Sequence, residues 1–191
     1  MLTKRIFAYI VDMMIISLVA TIIGMGFKNE NINKLNTELD ELTKSYVEEK
    51  IDSSKYLNQF VLIEHDIEKE RVNSSIIEVM LLFGYFVILP FCYYGQTIGK
   101  KMFKIKVKAT KGELTMSNLL IRTLIIDGLG VAIISLILVY LLPSMPYFIT
   151  KLVIELCEFV VIIVSMIKIS GTDKKVGLHD ILAGTEVVEV K

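Results

Sequence analysis

The chain of 191 residues has little of what marks several common protein classes. Its 21 Lys and Arg are balanced by 21 Asp and Glu, so it lacks the basic excess of a nucleic-acid-binding protein. Its two cysteines, Cys92 and Cys157, both lie in apolar runs, which excludes a disulfide scaffold and offers no zinc-ligand spacing. We therefore expect no nucleic-acid partner, no metal site and no cofactor.

Residues for catalysis are also scarce. The two histidines, His65 and His179, lie in segments that we expect on opposite sides of a membrane. The sequence has no Gly-rich phosphate loop, no HExxH and no GxSxG motif. Without a nucleophile–base pair or a metal cluster, we expect that the protein is not an enzyme.

Hydrophobic residues, by contrast, are abundant. They make up 53% of the chain, the mean hydropathy is +0.60, and the excess lies in four blocks. A helix needs roughly 20 apolar residues to cross a bilayer core. The first block is too long for a cleaved signal peptide and has Asp12 at its centre. The sequence predicts a single all-α membrane domain over 1–191 with four transmembrane helices, at residues 6–27, 76–94, 119–142 and 148–169.

The charges between these blocks predict the orientation. Loop 95–117 carries six lysines and one acid, whereas segment 28–74 carries seven basic and eleven acidic residues. Short loops rich in Lys and Arg stay in the cytoplasm. We therefore expect loop 95–117, the tail 170–191 and both termini on the cytoplasmic side of the cell membrane, and 28–74 outside.

Segment 28–74 is predicted to form two helices. Apolar residues from Ile32 to Tyr46 recur at spacings of three and four, Asp52 to Ser54 interrupt the pattern, and a second amphipathic stretch follows. Two such helices bury their apolar stripes if they pack as a hairpin. Two roles stay open at this point: a partner-binding element, or a spacer that covers the outer mouth of the bundle.

Loop 95–117 is predicted to contain a small cytoplasmic β-hairpin. Residues 103–108 alternate apolar and basic, Lys111-Gly112 is a turn signal, and residues 113–115 could return as a second strand. The strand-like residues 185–190 are another possible partner for 103–108. The lysines either contact anionic lipid headgroups or only set the topology.

Charged residues within the predicted spans are the candidate functional residues. A charge at the bilayer centre costs about 2.5–3.5 kcal/mol on insertion scales, so such residues are rare and commonly functional. Carboxylates bind protons and are natural ligands of Na⁺ and other hard cations. A structural role, such as a pairing of Asp12 with Arg122, is the alternative. The intramembrane candidates are Asp12, Arg122, Asp127, Glu155 and Glu158.

Three stretches resemble the RDD family of bacterial membrane proteins, named for one arginine and two aspartates. Residues 4–12 resemble its first helix, with Arg5 and Asp12. Residues 177–185, Gly-Leu-His-Asp-Ile-Leu-Ala-Gly-Thr, resemble its C-terminal element, with Asp180. The third stretch resembles the family's GQTxGK loop, here Gly95, Gln96, Thr97, Ile98, Gly99 and Lys100. The resemblance does not cover 28–74.

The resemblance implies a location in the bacterial plasma membrane and a transport role, with sodium/proton exchange suggested for some members. We expect a transporter or a cation/proton exchange component, in which Asp180 and the GQTIGK loop act at a cytoplasmic gate. Na⁺ or H⁺ would be the ligand, and a homodimer is possible because four helices make a narrow bundle. The alternative is a membrane assembly or accessory protein that binds partners through the 28–74 hairpin.

Overall fold

The structure is a computed structural model that describes residues 1–24, 26, 29–171 and 175–190. The chain is mostly helical. Positions 25, 27, 28, 172–174 and 191 lie outside the described residues. They belong to the predicted segments 6–27, 28–74 and 170–191.

Two described helices are long and apolar enough to cross a membrane, namely α1 at Leu2–Gly24 and the helical stretch Val72–Cys92. The second consists of α4 at Val72–Phe83, a π-helical turn at Gly84–Ile88 and α5 at Leu89–Cys92. The helix α9, at Ser144–Gly171, has 28 residues but carries charged side chains along its length. The four-span count and the orientation therefore stay predictions.

The predicted third span is not one continuous helix. It is divided into α7 at Met116–Ile126 and α8 at Leu129–Leu141, with axes bent by 69°. Asp127 ends α7, and Gly128 has φ +82°, which is unfavourable for residues with a Cβ. If the bent pair counts as one span, the described chain has up to three. The sequence prediction of a single helix over 119–142 is wrong because the length of an apolar run does not reveal a left-handed residue within it.

The hairpin predicted in 28–74 is present. The helices are α2 at Glu30–Val47 and α3 at Ser53–Glu70. Asp52 begins α3 as predicted, because its side chain accepts the N–H of Lys55. At the tip of the hairpin, Tyr46 stacks on Tyr56 with ring centroids 4.5 Å apart.

The predicted cytoplasmic β-hairpin in loop 95–117 is wrong in its pairing. Strand β1, at Ile105–Ala109, pairs antiparallel with β2, at Thr185–Glu189, which is the other partner that the sequence suggested. Residues 113–115 form no strand. Thr115 instead begins α7 in a capping box with Asn118.

Two short helices complete this end of the molecule. Helix α6, at Ile98–Met102, precedes β1, and α10, at Leu178–Ala183, precedes β2. Buried apolar side chains of α1, the π-helical turn, β1 and α7 form one cluster that holds the two-stranded sheet against the bundle. The sheet therefore brings the C-terminal element next to the start of α1.

Candidate functional site

Asp180 links three distant parts of the chain. Its carboxylate forms ion pairs with Arg5 of α1, at 2.8 Å, and with Arg122 of α7. Asp180 is fully buried, and the side chains of Arg5 and Arg122 are each 10% exposed. The carboxylate also accepts the N–H of Gly177 at 3.1 Å and the hydroxyl of Thr185 at 3.3 Å. Asp180 thus caps the first turn of α10 and also forms two buried charge pairs.

Asp12, the other family aspartate, contacts neutral donors. It accepts hydrogen bonds from the hydroxyl groups of Tyr85 and Thr97, both at 2.6 Å, and from the N–H of Gly99 at 2.7 Å. The sequence suggested Arg122 as its structural partner, whereas Arg122 binds Asp180. Asp12 thus attaches α1 to the first turn of α6 and to the helix that contains Tyr85.

The first three residues of the GQTIGK loop each have a structural reason. Gly95 has φ +86°, and a Cβ there would lie 1.9 Å from the carbonyl oxygen of Val107. Gln96 donates its side-chain amide to the carbonyl of Ile105 at 3.0 Å. Thr97 caps α6 by accepting the N–H of Lys100 at 3.3 Å. The loop therefore fastens β1 and α6 to the bundle.

Lys100 extends from this loop to a cavity that we call the sheet-side cavity, of about 270 Å³. Its ammonium lies 5.6 Å from the centre of the Phe86 ring. Burial lowers the pKa of Lys100, and Asp127 and Asp12 partly oppose that shift. The charged and titratable side chains that line this cavity are Arg5, Tyr9, Asp12, Lys100, Arg122, Asp127 and His179.

His179 is a neutral member of this cluster. It is 2% exposed, and its Nδ1 lies 3.2 Å from the hydroxyl of Ser165. Burial, and then the positive charges of Arg122, Arg5 and Lys100, lower the pKa of His179 to about 2. The nearby carboxylate of Asp180 does not reverse this shift, because it is already paired with two guanidinium groups.

A second cavity, which we call the hairpin-side cavity, lies between α3, α4, α8 and α9 and has a volume of about 360 Å³. Four glutamates line it, against two basic side chains, Arg71 and Lys151. Lys151 is paired with Glu68 at 2.6 Å and not with its helix neighbour Glu155. The lining glutamates are Glu68, Glu78, Glu155 and Glu158.

The break between α7 and α8 lies between the two cavities. Asp127 lines the sheet-side cavity, and the next residue, Gly128, lines the hairpin-side cavity. The carboxylate of Glu158 lies near the backbone of Gly128, and it also interacts electrostatically with Asp127. The carboxylates of Asp127 and Glu158 thus lie on either side of one irregular backbone segment.

The structure divides the charged candidates, which are the family residues and the intramembrane residues together, into two groups. Arg5, Asp12, Arg122 and Asp180 have close polar partners and connect elements of the fold. Glu155 and Glu158 face the hairpin-side cavity, whereas Asp127 faces the sheet-side cavity. Within the described part of the chain, no group of three His, Cys, Asp or Glu side chains could hold a metal ion.

Sequence reasoning missed Tyr85 and Tyr147. Tyr85 donates to Asp12, and the hydroxyl of Tyr147 is buried beside the hairpin-side cavity, with no hydrogen-bond partner among the described residues. A tyrosine within an apolar run is a signal, because its buried hydroxyl normally requires a partner. That signal does not identify the partner.

The family model of the RDD family matches residues 1–184 of this chain. No curated protein and no solved structure matches it significantly. The match includes the arginine of α1, the GQTIGK loop and the C-terminal element that meet around the sheet-side cavity. The chain belongs to the RDD family.

Proposed function

We propose that this RDD protein handles a cation or a proton at the break between α7 and α8, as a transporter or as a cation/proton exchange component. The observation that carries the proposal is the position of Asp127 and Gly128, which line different cavities although they are adjacent in sequence. In membrane transporters, substrates and coupling ions commonly bind at discontinuous helices. Irregular backbone at membrane depth is tolerated where it lines a cavity.

The chemistry of the hairpin-side cavity supports a cation as the ligand. Its four glutamates outnumber its two basic side chains, and a cleft with an excess of one charge concentrates the opposite ion. Hydroxyl groups of Ser75, Ser135 and Tyr147 add neutral oxygen atoms. Hard cations such as Na⁺ prefer ligands of this kind.

Lys100 supplies a mechanism by which binding at Asp127 is coupled to the rest of the protein. Its ammonium interacts electrostatically with the carboxylate of Asp127. A cation or proton that reaches Asp127 weakens the attraction between Asp127 and Lys100. Because Lys100 belongs to α6, whose first turn is attached to α1 through Asp12, this change would be transmitted to the sheet end of the molecule.

In this proposal the family residues Arg5, Asp12 and Asp180 are scaffold residues. Asp180 is occupied by two guanidinium groups, and Asp12 by three hydrogen-bond donors. A cation would have to displace these partners to bind either carboxylate. Asp127 and Glu158 each line a cavity and form no ion pair within 4.0 Å among the described residues, so a cation can bind them without displacing such a partner.

The test is ion-driven proton flux in liposomes that contain purified protein and an internal pH dye. Addition of Na⁺, K⁺ or Li⁺ outside should change the internal pH with the wild-type protein, and Asp127→Asn and Glu158→Gln should each reduce the initial rate at least tenfold. Asp40→Asn, in the exposed face of the hairpin helix α2, is the matched control and should keep the wild-type rate. Equal rates for wild type, Asp127→Asn and Glu158→Gln at equal incorporation would contradict the proposal.

The accessory role is the second candidate, and exposed apolar side chains on the hairpin favour it. Val47 is 74% exposed and Leu57 is 47% exposed. The hairpin is nevertheless attached to its own bundle, because His65 Nε2 lies 3.0 Å from the carbonyl oxygen of Val139 and Glu68 pairs with Lys151. Under the accessory role, Val47→Asp with Leu57→Asp would abolish crosslinking to a partner, and Asp127→Asn would leave it unchanged.

A further inference from the structure

We propose that the sheet-side cavity binds one anionic phospholipid, whose phosphate lies beside Arg5, Lys100 and Arg122 and whose acyl chain lies between α1 and α9. This inference concerns a resident lipid and not a transported ion, although the proposed ion ligand Asp127 and the coupling residue Lys100 line the same cavity.

The basic groups of the cavity have unused binding capacity. The Nε atoms of Arg5 and Arg122 are buried, and each lacks a hydrogen-bond partner among the described residues. Leaving a buried donor unpaired costs about 1–3 kcal/mol, and more for a charged group. Guanidinium groups bind phosphate oxygens with short, directed hydrogen bonds.

Lys100 adds a third positive charge without a close counterion. Its ammonium lies over the Phe86 ring, and the described residues place no carboxylate oxygen within 4.0 Å of it. Asp127 and Asp12 attract it from a greater distance. At that distance the two carboxylates leave the charge of Lys100 partly uncompensated. A phosphate in direct contact with Lys100 would compensate it.

The carboxylates of the cluster do not fill the role of the phosphate. Asp180 is shared by Arg5 and Arg122, so one negative charge serves two positive ones. Asp12 is bound by two hydroxyl groups and one backbone N–H, and it contacts none of the basic side chains directly. Asp12, Asp127 and Asp180 match the three basic side chains in number, so a phosphate would bind through the donors that they leave unpartnered, the Nε–H groups of Arg5 and Arg122, and through Lys100.

The rest of the cavity is suited to an acyl chain. Its volume of about 270 Å³ far exceeds the roughly 10–15 Å³ that one water molecule needs, so the cavity has room for more than a single small ion. The wall is apolar, with Ile6 of α1 facing Ile162, Met166 and Ile169 of α9. Basic pockets between transmembrane helices bind the headgroups of anionic lipids. The combination of basic and apolar walls favours a lipid over a soluble anion.

The test measures lipid retention by native mass spectrometry, after the full-length protein is mixed with equal amounts of phosphatidylglycerol and phosphatidylcholine of identical chains in neutral detergent. The wild-type protein should retain one phosphatidylglycerol at least tenfold in preference to phosphatidylcholine. Lys100→Gln should reduce this preference at least fivefold. Lys101→Gln, on the same short helix but exposed, is the matched control and should keep it.

A second pair of variants tests the acyl-chain site without altering a charge. Met166→Trp fills the apolar part of the cavity and should abolish retention, whereas Met14→Trp, on the lipid-facing side of α1, should not. Glu158→Gln, which should reduce ion flux and lines the hairpin-side cavity but not the sheet-side cavity, should retain the lipid, so the two proposals can fail separately. Equal retention by the wild-type protein and Met166→Trp would overturn the lipid site. Thermal stabilisation by inorganic phosphate equal to that by phosphatidylglycerol would also overturn it, in favour of a soluble anion.

Discussion

Asp12 and Gly99 are in direct contact at the junction of α1 and α6. Oδ1 of Asp12 accepts the N–H of Gly99 at 2.7 Å, and a Cβ on Gly99 would lie 2.8 Å from the same oxygen. That Cβ would also lie 2.2 Å from the carbonyl oxygen of Ala8. The absence of a side chain at position 99 is therefore what allows the hydrogen bond to form.

The first prediction follows from this contact. Gly99→Ala should lower the free energy of unfolding by about 1–3 kcal/mol, because the added methyl group meets the backbone of α1, which cannot yield cheaply. Gly84→Ala is the matched control, since a Cβ there meets nothing within 4 Å and alanine favours a helix. Thermal unfolding in detergent measures both variants, and an equal midpoint for the two would refute the close approach at Gly99.

The second prediction concerns the shared carboxylate. Asp180→Asn leaves Arg5 and Arg122 buried without their counterion, so the protein should lose about 3–5 kcal/mol of stability and little folded protein should be recovered. Size-exclusion chromatography of a fluorescent fusion measures the recovery. Adding Arg122→Gln to Asp180→Asn should restore part of it, because one uncompensated charge is then removed.

The matched control for Asp180→Asn is Glu189→Gln. Glu189 pairs with Lys4 at 2.9 Å, but both side chains are exposed to solvent. The pairing lowers the pKa of the Glu189 carboxyl without burying it. Removal of this charge should leave recovery unchanged, and a loss as large as that of Asp180→Asn would show that burial is not the cause.

The third prediction is a pH dependence caused by His179. Its pKa in the folded protein, about 2, is well below its ordinary value of about 6.5. Between these values the unfolded chain binds a proton that the folded protein does not bind, so stability falls as the pH falls below about 6.5. The loss from this group should approach about 1.4 kcal/mol per pH unit.

His179→Asn should remove this contribution, because asparagine does not titrate. Thermal midpoints measured from pH 7.5 to 4.5 should therefore fall more steeply for the wild-type protein than for the variant. The acidic residues contribute equally to the pH dependence of both proteins, so the difference between the two curves reports His179. Parallel curves would mean that His179 is protonated in the folded protein or is not buried.

The fourth prediction concerns the attachment of the hairpin. Glu68 and Lys151 are 2.6 Å apart, and their side chains are 26% and 28% exposed. Reversal of one charge, in Glu68→Lys or Lys151→Glu, should destabilise the protein by roughly 1–2 kcal/mol and increase proteolysis of α2 and α3. The double variant should recover most of the loss, and additive losses would show that the pair is not coupled.

The local elements that depend on neighbouring residues could be predicted from the sequence. The apolar run of α1 and the break at Asp52 both appear in the structure near the predicted positions. The charge of Asp127 could also be identified from the sequence, but its position at a helix break could not. Glycine permits the left-handed φ of Gly128 but does not require it, so the length of the apolar run favoured a continuous helix.

For the family residues, too, the sequence identifies the residues, whereas their partners depend on the tertiary structure. The sequence by itself determined that Asp12 is unusual, because a charge within an apolar helix is costly and must be compensated, and the family resemblance singled out Arg5 and Asp180. Only the tertiary structure decided how they are compensated: Asp180 meets Arg5 across 175 residues and Arg122 across 58. Asp12 meets Gly99 across 87 residues. Such pairings depend on how α1, α6, α7 and α10 pack together, and the spacing of residues along one chain does not encode that packing directly.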